Sequence, residues 1–123
     1  MKGYHNLQVY REAHALVKMV YAATERFPKH EIFGLISQMR RAAVSVVANI
    51  LEGHARKGKR ELHRFLDIAN GSLIELEYYI ELSTDLKYLS LQEHEELEKQ
   101  RVIVGSLLGG LLRYSKKLTA QIT

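Results

Sequence analysis

The twenty residues from Ser37 to Arg56 constrain the fold more than any other part of the chain. Two adjacent arginines, Arg40 and Arg41, are followed by a run from Ala42 to Leu51 that holds no charged residue. Met39, Ala42, Ala43, Val46 and Ile50 recur at i, i+3, i+4 and i+7, the period of one helix face. Val44, Val47 and Leu51 fall on the other side, so apolar surface extends well beyond a single stripe. One bundle core buries only one side of a helix. The remainder predicts a second partner, most simply another copy of the chain, with Val44, Val47 and Leu51 as the candidate oligomer interface.

The same period runs through the rest of the chain. A first helix is predicted from about Leu7 to Arg26, with Tyr10, Ala13, Val17, Val20, Tyr21 and Thr24 on one face; Phe27-Pro28 stops it, because proline disfavours helical geometry in the preceding residue. The second is read from Glu31 to His54. The third, from Arg60 to Leu89, places Leu62, Phe65, Leu66, Ala69, Leu73, Leu76, Ile80 and Ser83 inward. Ser90-Leu91-Gln92-Glu93 reads as a capping box opening a fourth helix that carries Leu97, Val104, Leu107, Leu108, Leu111, Leu112 and Leu118. No segment alternates with period two for long enough to predict a strand. The expected architecture is all-α, one up-down-up-down four-helix bundle spanning residues 1–123 with short connections.

At 123 residues the chain suits one domain whose surface-to-volume ratio rewards oligomerisation. It has no cysteine, which excludes disulfides and thiolate metal sites. The longest apolar runs, Ala42 to Leu51 and Val102 to Leu112, are far short of the ~20 residues of a membrane span, and no signal-peptide pattern opens the sequence. A cytoplasmic protein without a membrane role is expected. Gly71, Gly105, Gly109 and Gly110 sit inside predicted helices, where each costs ~1 kcal/mol against alanine. Close packing within or between subunits explains them better than a cofactor slot, and no cofactor is expected.

Charge points to a partner. From Arg40 to Arg64 there are seven basic residues against two acids, whereas from Glu75 to Lys99 there are eight acids against two lysines. The molecule should therefore have a basic region and an acidic one. Arg56, Lys57, Lys59 and Arg60 fall in a predicted loop, with Arg64 one turn into the next helix, where mobile cations can reach phosphates. Against this stands a plain solvated loop with Arg60 or Arg64 paired to Asp67. Arg40 and Arg41 either line the same surface or pair with Glu52 or another acid at a subunit contact.

Catalytic patterns are missing. No glutamate is followed three residues later by histidine, as a di-iron bundle requires. His63 and Asp67 lie one turn apart, but two ligands make no metal site. Ser45, Ser72 and Ser83 have no local base, and Tyr78 and Tyr79 lie in the acidic half, where packing suits them better than stacking on bases. The expectation is a non-enzyme without catalytic residues or bound metal.

Gln38-Met39-Arg40-Arg41-Ala42-Ala43-Val44-Ser45, Asn49-Ile50-Leu51-Glu52-Gly53, and Phe65-Leu66-Asp67-Ile68-Ala69-Asn70-Gly71-Ser72 with Glu75-Leu76-Glu77 also carry a resemblance. The chain resembles the four-helix bundle proteins encoded by intervening sequences in bacterial 23S rRNA genes, and the likeness extends from Leu7-Gln8-Val9-Tyr10 to the last helix. That family is similar to the accessory variability protein of diversity-generating retroelements, a basic pentameric bundle that works with a reverse transcriptase and binds nucleic acid. The resemblance implies a homopentameric ring, an RNA or DNA ligand, and a reverse transcriptase or other protein as partner. Many members carry proline where this chain has Val47, a departure that removes the residue expected to kink the helix. The alternative function is a protein-protein interaction scaffold, with the basic end against an acidic protein and no direct nucleic-acid role.

Overall fold

The computed structural model describes the backbone of residues 7–122 and the side chains of residues 7–116. Leu118, expected on the inner face of the last helix, lies outside the described side chains. Four helices follow one another: α1 Gln8–Thr24, α2 Leu35–Ala55, α3 Lys59–Asp85 and α4 Leu91–Ile122, with a short 3₁₀ turn at Lys29–Glu31. There is no strand among the described residues. α1 packs on α2 and α4, and α3 packs on α2 and α4, so each helix lies beside its neighbours in sequence around one core.

The core stripes have the intervals of three and four that let antiparallel helices interdigitate. On α3 they are Leu66, Ala69, Leu73, Leu76, Ile80 and Ser83, with Leu62 only partly buried. On α1 the stripe is Val9, Ala13, Leu16, Val20, Ala23 and Thr24; Ala13, Val20 and Thr24 lie where expected, while Val9, Leu16 and Ala23 take the inner positions in place of Tyr10, Val17 and Tyr21, and Tyr21 is exposed. On α4 it is Leu97, Val104, Leu108 and Ser115, and Leu111 lies off this line and is exposed rather than inward. No buried side-chain polar atom lacks a partner among the described residues; even Ser83 Oγ donates to Met39 Sδ at 3.4 Å.

Helix ends show which side chains do the punctuation. The α4 capping box forms as read: the Glu93 N–H donates to Ser90 Oγ at 3.1 Å, and the Ser90 N–H donates to Glu93 Oε1 at 2.9 Å. That backbone hydrogen bond is the main reason the Glu93 carboxyl is held below the usual carboxylate range, with the Arg26 guanidinium adding to it. α2 starts at Leu35 instead of Glu31. Glu31 stands one turn ahead and accepts the Leu35 N–H at 3.1 Å, while its other oxygen accepts the Tyr88 hydroxyl at 3.0 Å. Burial, with the Glu31 carboxylate behind it, pushes that hydroxyl above its ordinary value.

α3 ends at Asp85, four residues before the expected Leu89. Tyr88 N–H bonds Ser83 O at 2.9 Å and Lys87 N–H bonds Thr84 O at 2.9 Å, the paired bonds of a Schellman stop, with Lys87 at φ 65°. That left-handed position normally belongs to glycine, and a lysine there gives the sequence no stop signal. α2 runs unbroken through Val47, as the missing proline implies. Of the helical glycines, Gly71 has open space where a Cβ would stand, and Gly109 and Gly110 face only Arg113 of their own helix. Close packing inside the chain does not explain those three.

Replacing Lys87 by glycine removes the steric cost of the left-handed backbone and should stabilise the fold. The gain is expected to be about 1 kcal/mol or less, since glycine also loosens the unfolded chain. A rise in the midpoint of urea unfolding at unchanged slope is the expected result.

Candidate nucleic-acid interface

α2 descends onto α3 and the chain reverses in three residues, Arg56, Lys57 and Gly58. Gly53 makes the approach possible: a Cβ there would stand 3.2 Å from Leu62 Cδ1 and 3.2 Å from Phe65 Cβ. The two helices are thereby clamped just before the loop, with Phe65 half-buried beneath it. The Arg64 guanidinium lies over the Phe65 ring at 4.5 Å from its centroid, and that of Arg56 at 5.2 Å. Phe65 was expected to point inward. It serves instead as a platform that gathers two arginines.

Each of those arginines also holds an acid of its own helix neighbourhood. Arg56 Nη2 pairs with Glu52 Oε2 at 3.1 Å, and Arg64 donates to both oxygens of Glu61 at 3.3 and 3.2 Å. The expected partner, Asp67, is not the one used. The hydrogen bond from Arg64 is the leading cause that lowers the Glu61 carboxyl below its ordinary value. Lys57, Lys59 and Arg60 are exposed. Gly58 caps α3 without any side-chain hydrogen bond, so the open N–H groups of the first turn add partial positive charge beside three lysine and arginine heads.

Arg40 and Arg41 do not join this cluster. Some fifteen residues of α2 separate Arg41 from Arg56, roughly 22 Å along the axis. Arg40 is tied into its own molecule: its Nε donates to Thr24 Oγ1 at 2.9 Å, its Nη2 reaches Tyr21 O and Glu25 Oε2 at 3.4 Å each, and it lies 4.5 Å over the Tyr21 ring. Arg40 is thus a pin between α1 and α2. Arg41 is exposed and borders a groove of about 410 Å³ with Gln38, Ser45, Ser72 and Glu75. At the groove floor the Ser45 and Ser72 hydroxyls share a hydrogen bond at 2.8 Å, and Asn49 Nδ2 donates to Ser45 O at 2.8 Å. This polar bridge between α2 and α3 was unread in the sequence, where only small residues at matched positions hint at it.

The three candidate interface residues also separate. Val44 is exposed, Leu51 is half-buried, and Val47 packs against the chain's own core. His63 Nδ1 bonds Ser115 Oγ at 2.9 Å. Among the described residues no group of three or more His, Asp or Glu could hold a metal ion, and no helix is long and apolar enough to cross a membrane.

The sequence profile of the 23S rRNA-intervening sequence protein family matches residues 5–110. No curated protein matches the chain. Among solved structures, the fold is similar to a crystal structure of a protein with unknown function from the S23 ribosomal protein family of Bacteroides thetaiotaomicron VPI-5482. The two share 22% identity, the match covers 85% of this chain and 95% of that one, and the TM-score is 0.77.

The contrast between the two adjacent arginines is measurable. Arg40→Ala removes a charged donor from Thr24 and the ring contact on Tyr21, and should cost about 1.5–3 kcal/mol of stability. Arg41→Ala should change stability by less than about 0.5 kcal/mol. Equal losses in chemical denaturation would contradict the assignment of Arg40 as the pin.

Proposed function

The chain belongs to the 23S rRNA-intervening sequence protein family, and from that premise and its charge distribution we propose that it is a non-catalytic, cytoplasmic adaptor that binds RNA or DNA by the phosphate backbone. The observation that carries this reading is the α2–α3 turn, where Arg56 and Arg64 lie on one Phe65 ring and exposed Lys57, Lys59 and Arg60 flank a helix start without a side-chain cap. Lys57, Lys59 and Arg60 are exposed for first contact. Arg56 is held by an exposed i, i+4 pair worth only a few tenths of a kcal/mol, so a phosphate can displace Glu52 at little cost. Arg64 can exchange Glu61 in the same way. Nothing in this set reads base edges, so sequence preference should be slight.

One such patch is modest, and repetition of the chain around a ring multiplies it on a long ligand. The reading therefore includes a homo-oligomer, a pentamer in its fullest form, with a reverse transcriptase or another protein as a further partner. Val44 supports it: on α2 it is exposed together with Ala48, one turn on, and beside exposed Tyr21.

Two measurements test this function. Binding of single-stranded RNA of mixed sequence should weaken with salt, log K falling by ~0.7 for each phosphate contacted. The triple change of Lys57, Lys59 and Arg60 to alanine should weaken binding to all sequences alike and remove about 2 from that slope, with helical content unchanged. A triple variant that binds as the parent does, or a parent that binds no nucleic acid at low salt, would leave the protein-scaffold alternative. Separately, light scattering should find a monodisperse oligomer, and Val44→Asp should convert it to monomer; a parent already monomeric at micromolar concentration refutes the ring.

A further inference from the structure

The groove at Val44 calls for a surface to cover it, and its charge says which. From Ile32 to Leu51 the chain has no acid, so Arg40 and Arg41 border Tyr21, Val44 and Ala48 with no carboxylate in that stretch. Arg40 is held by Thr24 and Glu25 of α1. Arg41 is exposed and makes no ion pair among the described residues. Two copies meeting groove to groove would bring both Arg41 cations into one contact with no acid of α2 to answer them, which disfavours pairing of the groove with itself.

The outer face of α3 has the opposite makeup. It turns Ile74 and Tyr78 to solvent one turn apart, 57% and 56% exposed, and α3 holds no cation after Arg64. Asp67, Glu81 and Asp85 follow the same face at helical spacing, with Glu75 at its edge. All four carboxylates are exposed, and none makes an ion pair among the described residues. The other two acids of α3, Glu61 and Glu77, are engaged by Arg64 and Arg101. Gly71 lies on this face one turn before Ile74, and open space stands where its Cβ would be. Glycine there destabilises the helix by ~1 kcal/mol against alanine, and nothing in the chain itself uses the room.

The two surfaces also stand level. Ser45 of α2 and Ser72 of α3 share a hydrogen bond and the two helices run antiparallel, so height along the bundle can be counted from that pair at ~1.5 Å per residue. On that scale Val44 and Ile74 differ by ~1.5 Å, Arg41 and Glu75 by ~1.5 Å, and Ala48 and Gly71 by ~3 Å. Copies related by rotation about an axis parallel to the bundle keep these heights. We propose that the occupant of the groove is a second copy of this chain presenting its α3 face. Ile74 and Tyr78 meet Val44 and Tyr21, Gly71 admits the turn at Ala48, and Arg41 enters among the carboxylates that flank Tyr78, Glu75 and Glu81. The contact joins two different surfaces, one on α2 and one on α3, so each copy offers one to each neighbour, the arrangement a closed ring requires. It rests on the oligomer of the proposed function and names the half of the interface that Val44 leaves open. Nucleic-acid binding is not needed for it, because no residue of the basic loop takes part.

Cross-linking tests it, because the chain has no cysteine of its own. Full-length Val44→Cys and Ile74→Cys chains, one of them carrying a tag that marks its mass, are co-expressed, purified together and treated with a short bismaleimide. The expected product is a covalent dimer of one tagged and one untagged chain, joined through positions 44 and 74, with little from either variant alone. Val44→Cys paired with Val102→Cys, at an exposed position of α4, should give none. Ile74→Asp and Arg41→Glu should each weaken association at least about tenfold, with helical content as in the parent. If light scattering finds the parent oligomeric but position 44 links to itself, to position 102 or to nothing, or Ile74→Asp assembles as the parent does, the α3 face is not the occupant and the oligomer stands without it. A monomeric parent removes the oligomer itself, and this contact with it.

Discussion

Gly53 is the point on which the candidate interface depends. It is fully packed between Leu62 and Phe65, and the room left by its missing side chain lets α2 and α3 converge within one turn of the loop. Any larger residue would push Leu62 and Phe65 away by some tenths of an ångström, and Phe65 is the surface on which Arg56 and Arg64 lie. Local packing therefore fixes the spacing of cations that come from two helices. The same convergence shortens the connection to three residues, which keeps Lys57 and Lys59 close to the helix axes instead of on a wandering strand of chain. Clamping α2 to α3 at this end also fixes the register in which Ser45 meets Ser72 about two turns away.

Periodicity and capping chemistry made the bundle legible from sequence. The α3 stripe from Leu66 to Ser83 and the Ser90–Glu93 box appear where the residues place them, because both signals are local and repeat at helical intervals. What escaped was tertiary or disguised. Lys87 in a glycine conformation hides the end of α3, since the stop is made by backbone hydrogen bonds that any residue can join at a cost. Arg40 and Arg41 are neighbours in sequence with equal charge, and only the approach of Thr24 and Tyr21 from α1 distinguishes a pin from a surface cation. The role of Phe65 depends on two arginines arriving from opposite sides, which no single-helix pattern encodes. Gly71, Gly109 and Gly110 show a related limit: helical spacing says which face a glycine occupies, not whether a neighbour in the same chain comes near it.

Charge is separated along the bundle axis, and helix topology enforces it. In an up-down-up-down bundle the α2–α3 connection lies at one end, and the α1–α2 and α3–α4 connections lie together at the other. The first end carries Arg56, Lys57, Lys59, Arg60 and Arg64 against Glu52 and Glu61, while the acids of the other end lie mainly in the first turns of α4, at Glu93, Glu95, Glu96 and Glu98, so the bias becomes a polarity across the length of a helix. Individual ion pairs here are exposed and weak, Arg26 with Glu93 and Arg56 with Glu52 among them. Their value lies less in stability than in orienting approach, an effect that weakens steeply as salt rises.

That polarity also bears on how copies of the chain could be arranged. A contact through Val44 lies on the side of α2, between the two ends, so it would set subunits side by side with their axes alike if the ring closes by rotation. Side-by-side packing would place all basic loops on one rim, whereas end-to-end stacking would set each against the acidic start of α4 in the next copy. The α2 flank sets Arg40 and Arg41 beside Val44 and Ala48, so a contact there must accommodate both cations, and Arg40, already bonded to Thr24 and Glu25 of its own chain, is the less costly of the two to cover.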